Sequence, residues 1–505
     1  MEFDSTPPPP SDAAKTITAT VSGGTLRGTE HAGIWRFLGI PYAAPPFGSL
    51  RFRPPVPAGN WEGVRDATGF SATAPQRPYT GEIGELLEST DIPGDDILTV
   101  NVWAPAPTPN LPPAPVVVWY HGGALERGTP ALAGYDGSTF ARDGIVFVSV
   151  GYRLGAEGFS VLEGAPLNLG LQDAAAGLAW VRAHIAAFGG NPNRITIMGE
   201  SAGGALVAAL LSRPDTAALV AGAVIQSGPL LVGTAERAGR VTRALAKKLG
   251  ISPTSEAFSR LTPDQLLDAR TAQSAGSSPL GGAPGYALAL DPETLPVSPH
   301  KALRECNVPI LMGSNTDEYR LWFSPKVLAG LGPLKRQLAL TALRVPRRAT
   351  AAYRKALPDA SPAEVLGQIV TDLLLRRDLV ETARQRAAPS FVYEFAWQSP
   401  VRDLRAAHAL EIAFAFDCLD GSESVRLAGT DAPQPLADEM HERWVTFIAT
   451  GDPGWPAFSG GGKPGERATA GSAGAAGLIR RFDQRSSTVP LPRSAPLSEL
   501  PAPRA

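Results

Sequence analysis

The sequence predicts an α/β fold of the doubly wound kind, built on a largely parallel sheet, and three observations predict it. Short β-branched runs recur along the chain, most of them continuously apolar rather than alternating, which is the pattern of strands buried on both faces. Segments with helical spacing separate several of these runs. Glycine and proline are abundant, 53 and 49 of 505 residues. Proline cannot donate to a sheet or helix interior, so a regular centre must be surrounded by many loops.

Taken in chain order, residues 1–15 are small, polar and Pro-rich and are expected to form a disordered tail. A single domain is expected over residues 16–485, because α/β folds with insertions run long as one unit. Strands are expected at 115–120, 145–150, 194–198, 223–225, 308–312 and 391–395. A helix is expected over 170–188, where Leu171, Ala174, Leu178, Val181 and Ile185 share one face. The stretch 459–477, rich in Gly, Ala and Ser, reads as a flexible insertion. Residues 486–505, with repeated Pro, read as an extended tail. Ligands of such sheets bind at the carboxyl ends of strands, so the residues that follow each run matter most.

Charge and composition exclude several classes. With 46 basic and 48 acidic residues the net charge is −2, which leaves no electrostatic footprint for nucleic acid or an anionic membrane. No apolar run is long enough to span a bilayer. The start, Met1-Glu2-Phe3-Asp4, has neither a basic nor an apolar leader region. The only cysteines are Cys306 and Cys418, too few for a disulfide framework. Together these point to a cytoplasmic chain. No metal-ligand spacing and no dinucleotide motif after a strand is found, so no metal and no cofactor is expected. Oligomeric state is not legible.

Three motifs carry chemistry. After the run 195–198 comes Gly199-Glu200-Ser201-Ala202-Gly203-Gly204, followed by a helix-compatible stretch to Leu211. This G-x-S-x-G places a serine on a turn so tight that side chains two residues either side would collide. Chance alone supplies roughly 0.35 such matches in a chain of this composition, so the strand before and the helix after give it weight. After the run 115–120 comes His121-Gly122-Gly123-Ala124, small residues that let backbone N–H groups face an oxyanion, joined by the N–H of Ala202. On sheets of this kind the order is nucleophile, acid, histidine. Asp317 or Glu318, after the run 308–312, supplies the acid. Of the two histidines that follow, His441 lies in a helical pattern, whereas His408 lies in a loop after the strand 391–395. His408 is therefore expected to be the base to Ser201.

In their long, ordered match these stretches resemble the type-B carboxylesterase family, and in particular its bacterial members. Phe37-Leu38-Gly39-Ile40-Pro41-Tyr42-Ala43, Asp95 to Trp103, Tyr152-Arg153-Leu154-Gly155, Phe188-Gly189-Gly190-Asn191-Pro192, Gln226-Ser227-Gly228, Asn315-Thr316-Asp317-Glu318 and His408-Ala409-Leu410-Glu411-Ile412 carry it. The resemblance implies an α/β-hydrolase fold and a serine carboxylesterase acting on a small-molecule ester through an acyl-enzyme. It implies the acid at Glu318, oxyanion donors at Gly123, Ala124 and Ala202, and a supporting shell of Glu200, Ser227 and Glu411. It also implies ion pairs of Arg51 with Asp95 and of Arg153 with Asp173. The family's early disulfide positions are Ala74 and Ile97 here, Tyr319 stands where it has Gly after the acid, and Arg405 stands where it has Gly before the histidine. No tryptophan lies between Ala74 and Asp95, so a choline-ester specificity is not expected. The same machinery would also serve an amidase or carbamate hydrolase, and a non-catalytic interaction module on this fold is the remaining alternative.

Overall fold

The computed structural model describes residues 14–274, 285–458 and 477–501. Within them one sheet of thirteen strands runs through the molecule. Its centre is parallel: Val146–Val150, Ala114–Tyr120, Gly190–Glu200, Gly222–Gln226, Ile310–Asn315 and Ser390–Phe395 lie side by side in that order. Each of the six expected runs overlaps one of these strands; 115–120, 194–198, 223–225 and 391–395 lie wholly inside, while 145–150 and 308–312 begin one and two residues before theirs. Antiparallel strands extend the amino-terminal side, through Thr99–Pro105, Ile34–Pro41, Gly24–His31 and Lys15–Val21.

The continuously apolar runs are explained by two cores, one on each face. Along Ala114–Tyr120, Val116, Val118 and Tyr120 pack into one core while Val117 and Trp119 pack into the other, as the alternation of side chains across a strand requires. The first core is covered by Leu169–His184 and Ala202–Leu211. The second is covered by Gln434–Thr450, through Met440, Trp444 and Phe447. The expected helix over 170–188 is this first helix continued by a single 3₁₀ turn, Ile185–Phe188.

Three expectations need correction or restriction. Residues 486–501 are not a detached tail: Ser487–Pro490 pairs with Leu478–Phe482, which itself joins the sheet beside Ser390–Phe395, and Leu491, Leu497 and Leu500 are buried. The prolines are tolerated because this strand lies at the sheet edge. At the other end Lys15 already begins a strand, while residues 1–13 and the insertion 459–476 lie outside the described residues. Arg51 does not pair with Asp95. It makes a bidentate pair with Glu157, at 3.0 and 2.5 Å, because Glu157 is buried beside it and needs a cation. Arg153 does pair with Asp173, at 2.7 and 2.6 Å, deep in the interior. Cys306 and Cys418 are free thiols.

Candidate active site

The strand Gly190–Glu200 hands over to the helix Ala202–Leu211 at Ser201, whose φ of 54° and ψ of −120° are strained for an L-residue. Two glycines make the bend possible. A Cβ at Gly199 would stand 2.5 Å from the Gly203 backbone, and one at Gly203 would stand 1.9 Å from Tyr120 O. Ser201 N donates to Gln226 O at 2.9 Å, and Ser201 O accepts from Ala205 N at 3.0 Å. The serine is thereby held at the positive end of a buried ten-residue helix.

The neighbouring strand Ala114–Tyr120 pairs Tyr120 with Gly199, so the loop that follows it starts beside the serine. A Cβ at Gly122 would lie 3.3 Å from Ser201 Cβ and 2.6 Å from a Glu200 carboxyl oxygen. Gly123 has φ 107°, and a Cβ there would be 2.1 Å from Arg127 O. Glu126 N and Arg127 N both close on Gly123 O, at 3.0 and 2.9 Å. The N–H groups of Gly123, Ala124 and Ala202 donate to no other described residue. A brace invisible in the sequence supports this loop. His121, fully buried, stacks on Tyr152 with ring centroids 4.5 Å apart, and its Nδ1 lies 2.8 Å from Gly122 O. The Tyr152 hydroxyl donates to His121 O at 2.7 Å. Burial lowers the His121 pKa to about 4, so the ring is neutral at pH 7 and donates from Nδ1.

The acid side is built by side chains. Glu318 opens a 3₁₀ turn shortly after the strand Ile310–Asn315 and is fully buried. Its Oε1 accepts from Ser227 Oγ at 2.6 Å and from Asn315 N at 2.7 Å, and its Oε2 lies 2.5 Å from His408 Nδ1. Of the two candidate acids, Glu318 is the one that reaches the ring. Asp317 instead anchors the chain, its N donating to Ala406 O at 2.9 Å. His441 is remote in role: its Nδ1 faces Ala415 O at 2.8 Å and its Nε2 lies 3.1 Å from Asp143.

The second ring nitrogen of His408 is turned to a carboxylate. Nε2 lies 3.0 Å from Glu200 Oε1, and neither ring nitrogen is hydrogen-bonded to Ser201. Burial disfavours a charged ring, but Glu200 and Glu318 outweigh it and raise the His408 pKa to about 9. Burial pushes Glu200 well above the carboxylate range. Glu411 rises to about 7, through burial first and the neighbouring Glu318 second. Glu411 does not touch the histidine. It accepts from Asn315 Nδ2 at 2.5 Å, and Asn315 Nδ2 also donates to Ala407 O at 2.6 Å. Asn315 thus ties the acid strand to the histidine loop.

The two substitutions against the family pattern have local explanations. Tyr319 is absent from the left-handed region, so nothing there demands glycine, and its ring fills space that Gly367 leaves free: a Cβ on Gly367 would meet the ring at 2.3 Å. Arg405 does sit at φ 52°, where glycine is favoured, and its side chain pairs with Asp403 and Glu364, both at 3.1 Å. Trp322, another residue the motifs did not single out, lies with its ring centroid 4.7 Å from that of His408. It lines a cleft of about 900 Å³ together with Ile83, Phe323, Leu331 and Leu338. Among the described residues no cluster of three or more His, Cys, Asp or Glu could hold a metal ion, and no helix is long and apolar enough to cross a membrane.

A serine on a strand-to-helix bend of a mostly parallel sheet, with an acid and a histidine arriving from later strands, defines an α/β-hydrolase. Comparison with known proteins narrows the class. A sequence model of the carboxylesterase family matches residues 13–460. The chain is 37% identical over 469 residues to the para-nitrobenzyl esterase of Bacillus subtilis, covering 87% of this chain and 92% of that protein. It is 35% identical over 467 residues to the phenmedipham hydrolase of Pseudarthrobacter oxydans, with the same coverage of 87% and 92%. The crystal structure of a Geobacillus stearothermophilus carboxylesterase superposes with a TM-score of 0.81 at 32% identity, covering 96% of this chain and all 100% of that one. The chain belongs to the carboxylesterase family and is a carboxylic ester hydrolase.

Proposed function

We propose that this protein hydrolyses carboxylic esters through an acyl-enzyme on Ser201, with His408 as general base and acid and Glu318 orienting the ring. The contact that carries the reading is Glu318 Oε2 to His408 Nδ1 at 2.5 Å. It sets the tautomer in which Nε2 is free to take a proton once the ring is neutral, which the raised pKa places towards alkaline pH. In the first step Ser201 Oγ bonds to the ester carbonyl carbon while its proton passes to His408 Nε2. The carbonyl oxygen, now negative, is received by the N–H groups of Gly123, Ala124 and Ala202. The carbon–oxygen bond to the alcohol then breaks and Nε2 returns the proton to the departing alkoxide. Water repeats the sequence and frees the acid. Nε2 faces Glu200 in the resting arrangement, so Ser201 Oγ must displace that contact. The apolar cleft beside Trp322 favours esters with a hydrophobic acyl or alcohol part.

The test is hydrolysis of p-nitrophenyl acetate and butyrate. Ser201→Ala is expected to abolish turnover with an unchanged melting temperature, and retained activity in that variant would refute the proposal. A matched anilide is expected to react far more slowly. The free thiols and the loss of the early cysteine pair at Ala74 and Ile97 support a reducing, cytoplasmic location. Fractionation of the producing cells tests it, with recovery outside the cytoplasm as the contrary result.

A further inference from the structure

We propose that a groove remote in composition from the ester site binds a long-chain carboxylate anion. The groove lies between the helix Pro299–Glu305, the helix Arg377–Gln385 and the C-terminal helix Ser494–Ser498, and its volume is about 1060 Å³. None of Ser201, Glu318 and His408 lines it.

Its floor is apolar. Leu230, Val380, Leu497 and Leu500 form the buried part, and half-buried Val232 and Val297 extend it towards solvent. Its rim is cationic, with Lys301, Arg304 and Arg384. Lys301 and Arg304 are exposed and form no ion pair with any described carboxylate. Arg384 meets Glu381 only at 3.8 Å, too long and too exposed to neutralise it. Asp291 and Glu381 are the carboxylates of the lining and keep their negative charge, while Arg377 and His300 face Asp378. Asp291 Oδ2 accepts from Thr294 N and Thr294 Oγ1, both at 2.8 Å. Arg377 Nε donates to Asp378 Oδ1 at 2.8 Å, and its Nη1 donates to Pro501 O. His300 Nε2 lies 3.3 Å from Asp378 Oδ2. With Arg377 paired to Asp378, Lys301, Arg304 and Arg384 still outnumber Asp291 and Glu381, so the field above the apolar floor is positive.

That combination selects its ligand. An alkyl chain gains from covering the floor, and an anionic head gains from the unpaired Lys301 and Arg304 and the weakly paired Arg384. A neutral ester or alcohol satisfies only the first half, and a small inorganic anion only the second. A carboxylate with a chain of about ten carbons or more satisfies both, and it is the chemical type that ester hydrolysis releases.

The experiment is calorimetric titration of laurate, below its micellar range, into protein whose nucleophile has been blocked with a fluorophosphonate. Saturable binding at one site is expected, weakened tenfold or more in the double variant Arg304→Glu, Arg384→Glu. In Val297→Trp, which fills the groove, binding is expected to be lost. Decanoate should bind weaker than laurate by up to about fifteenfold, the effect of two buried methylenes, and 1-dodecanol weaker by tenfold or more. The variants should keep their melting temperature and their rate on p-nitrophenyl butyrate. Any of three results overturns the proposal: no binding to wild type, equal binding to the charge-reversed variant, or binding that disappears when Ser201 is blocked.

Discussion

Around Ser201 the constraints are main-chain atoms: Gly203 packed on Tyr120 O, Gly199 on the Gly203 backbone, Gly123 closed by Glu126 N and Arg127 N. Around His408 they are side chains from distant parts of the chain, namely Glu200, Ser227, Asn315, Glu318 and, one contact further out, Glu411. The difference has a consequence for mutation. A methyl group added on the serine side attacks the fold, because backbone cannot move away. A carboxylate neutralised on the histidine side attacks the chemistry, because the shape survives and only charge and tautomer change.

The largest effects should come from the histidine side. His408→Ala is expected to lower kcat by roughly 10⁵- to 10⁶-fold, and Glu318→Gln by about 10⁴-fold, with little change in melting temperature. Steady-state rates on p-nitrophenyl butyrate beside thermal melts check both, and a large loss of stability in Glu318→Gln would erase the contrast. On the serine side Gly203→Ala should fail to fold, its Cβ having only 1.9 Å to Tyr120 O. Gly123→Ala should lose about 10²- to 10³-fold in kcat together with stability.

Smaller effects refine the comparison. His121 is neutral in the fold with a pKa of about 4, below its value of about 6.5 in the unfolded chain. The unfolded state therefore binds the proton first. The stability His121 contributes is whole above pH 6.5 and falls away as pH drops towards 4, by at most about 3 kcal/mol. Urea midpoints from pH 7.5 to 4.5 should fall less steeply in His121→Gln; parallel curves would contradict this. Glu200 is among the groups that raise the His408 pKa, so Glu200→Gln should move the acid limb of the kcat/KM profile to lower pH. A limb that stays put would remove Glu200 from the account. Arg405→Gly relieves a positive φ but loses half-exposed ion pairs with Asp403 and Glu364. Its net change in stability is expected to stay within about 1 kcal/mol.

The same contrast explains what was legible in the sequence. The serine bend and the Gly122-Gly123-Ala124 loop are contiguous and demanded by backbone geometry, so their residues mark them. The central strands are buried on both faces, and continuous apolar runs reveal them. Edge strands were harder. Lys15–Val21 exposes most of its residues, and Leu478–Phe482, next to the edge strand Ser487–Pro490, carries charges that partners far along the chain accept, such as Glu439 with Arg480 and Glu394 with Arg481. Ion-pair partners were also illegible where two acids compete, and Arg51 took Glu157 over Asp95 because the choice depends on three-dimensional burial. The stacking of Tyr152 on His121, the bridge at Asn315 and the cover of Trp322 over His408 likewise arise only when distant segments meet.

The most direct test is a crystal structure of the protein after reaction with a fluorophosphonate. The account predicts a phosphorus atom bonded to Ser201 Oγ, with one phosphonyl oxygen about 2.7–3.1 Å from the N atoms of Gly123, Ala124 and Ala202, and His408 Nε2 turned from Glu200 towards the adduct. An adduct on another residue, or a phosphonyl oxygen pointing away from that loop with His408 still on Glu200, would contradict it.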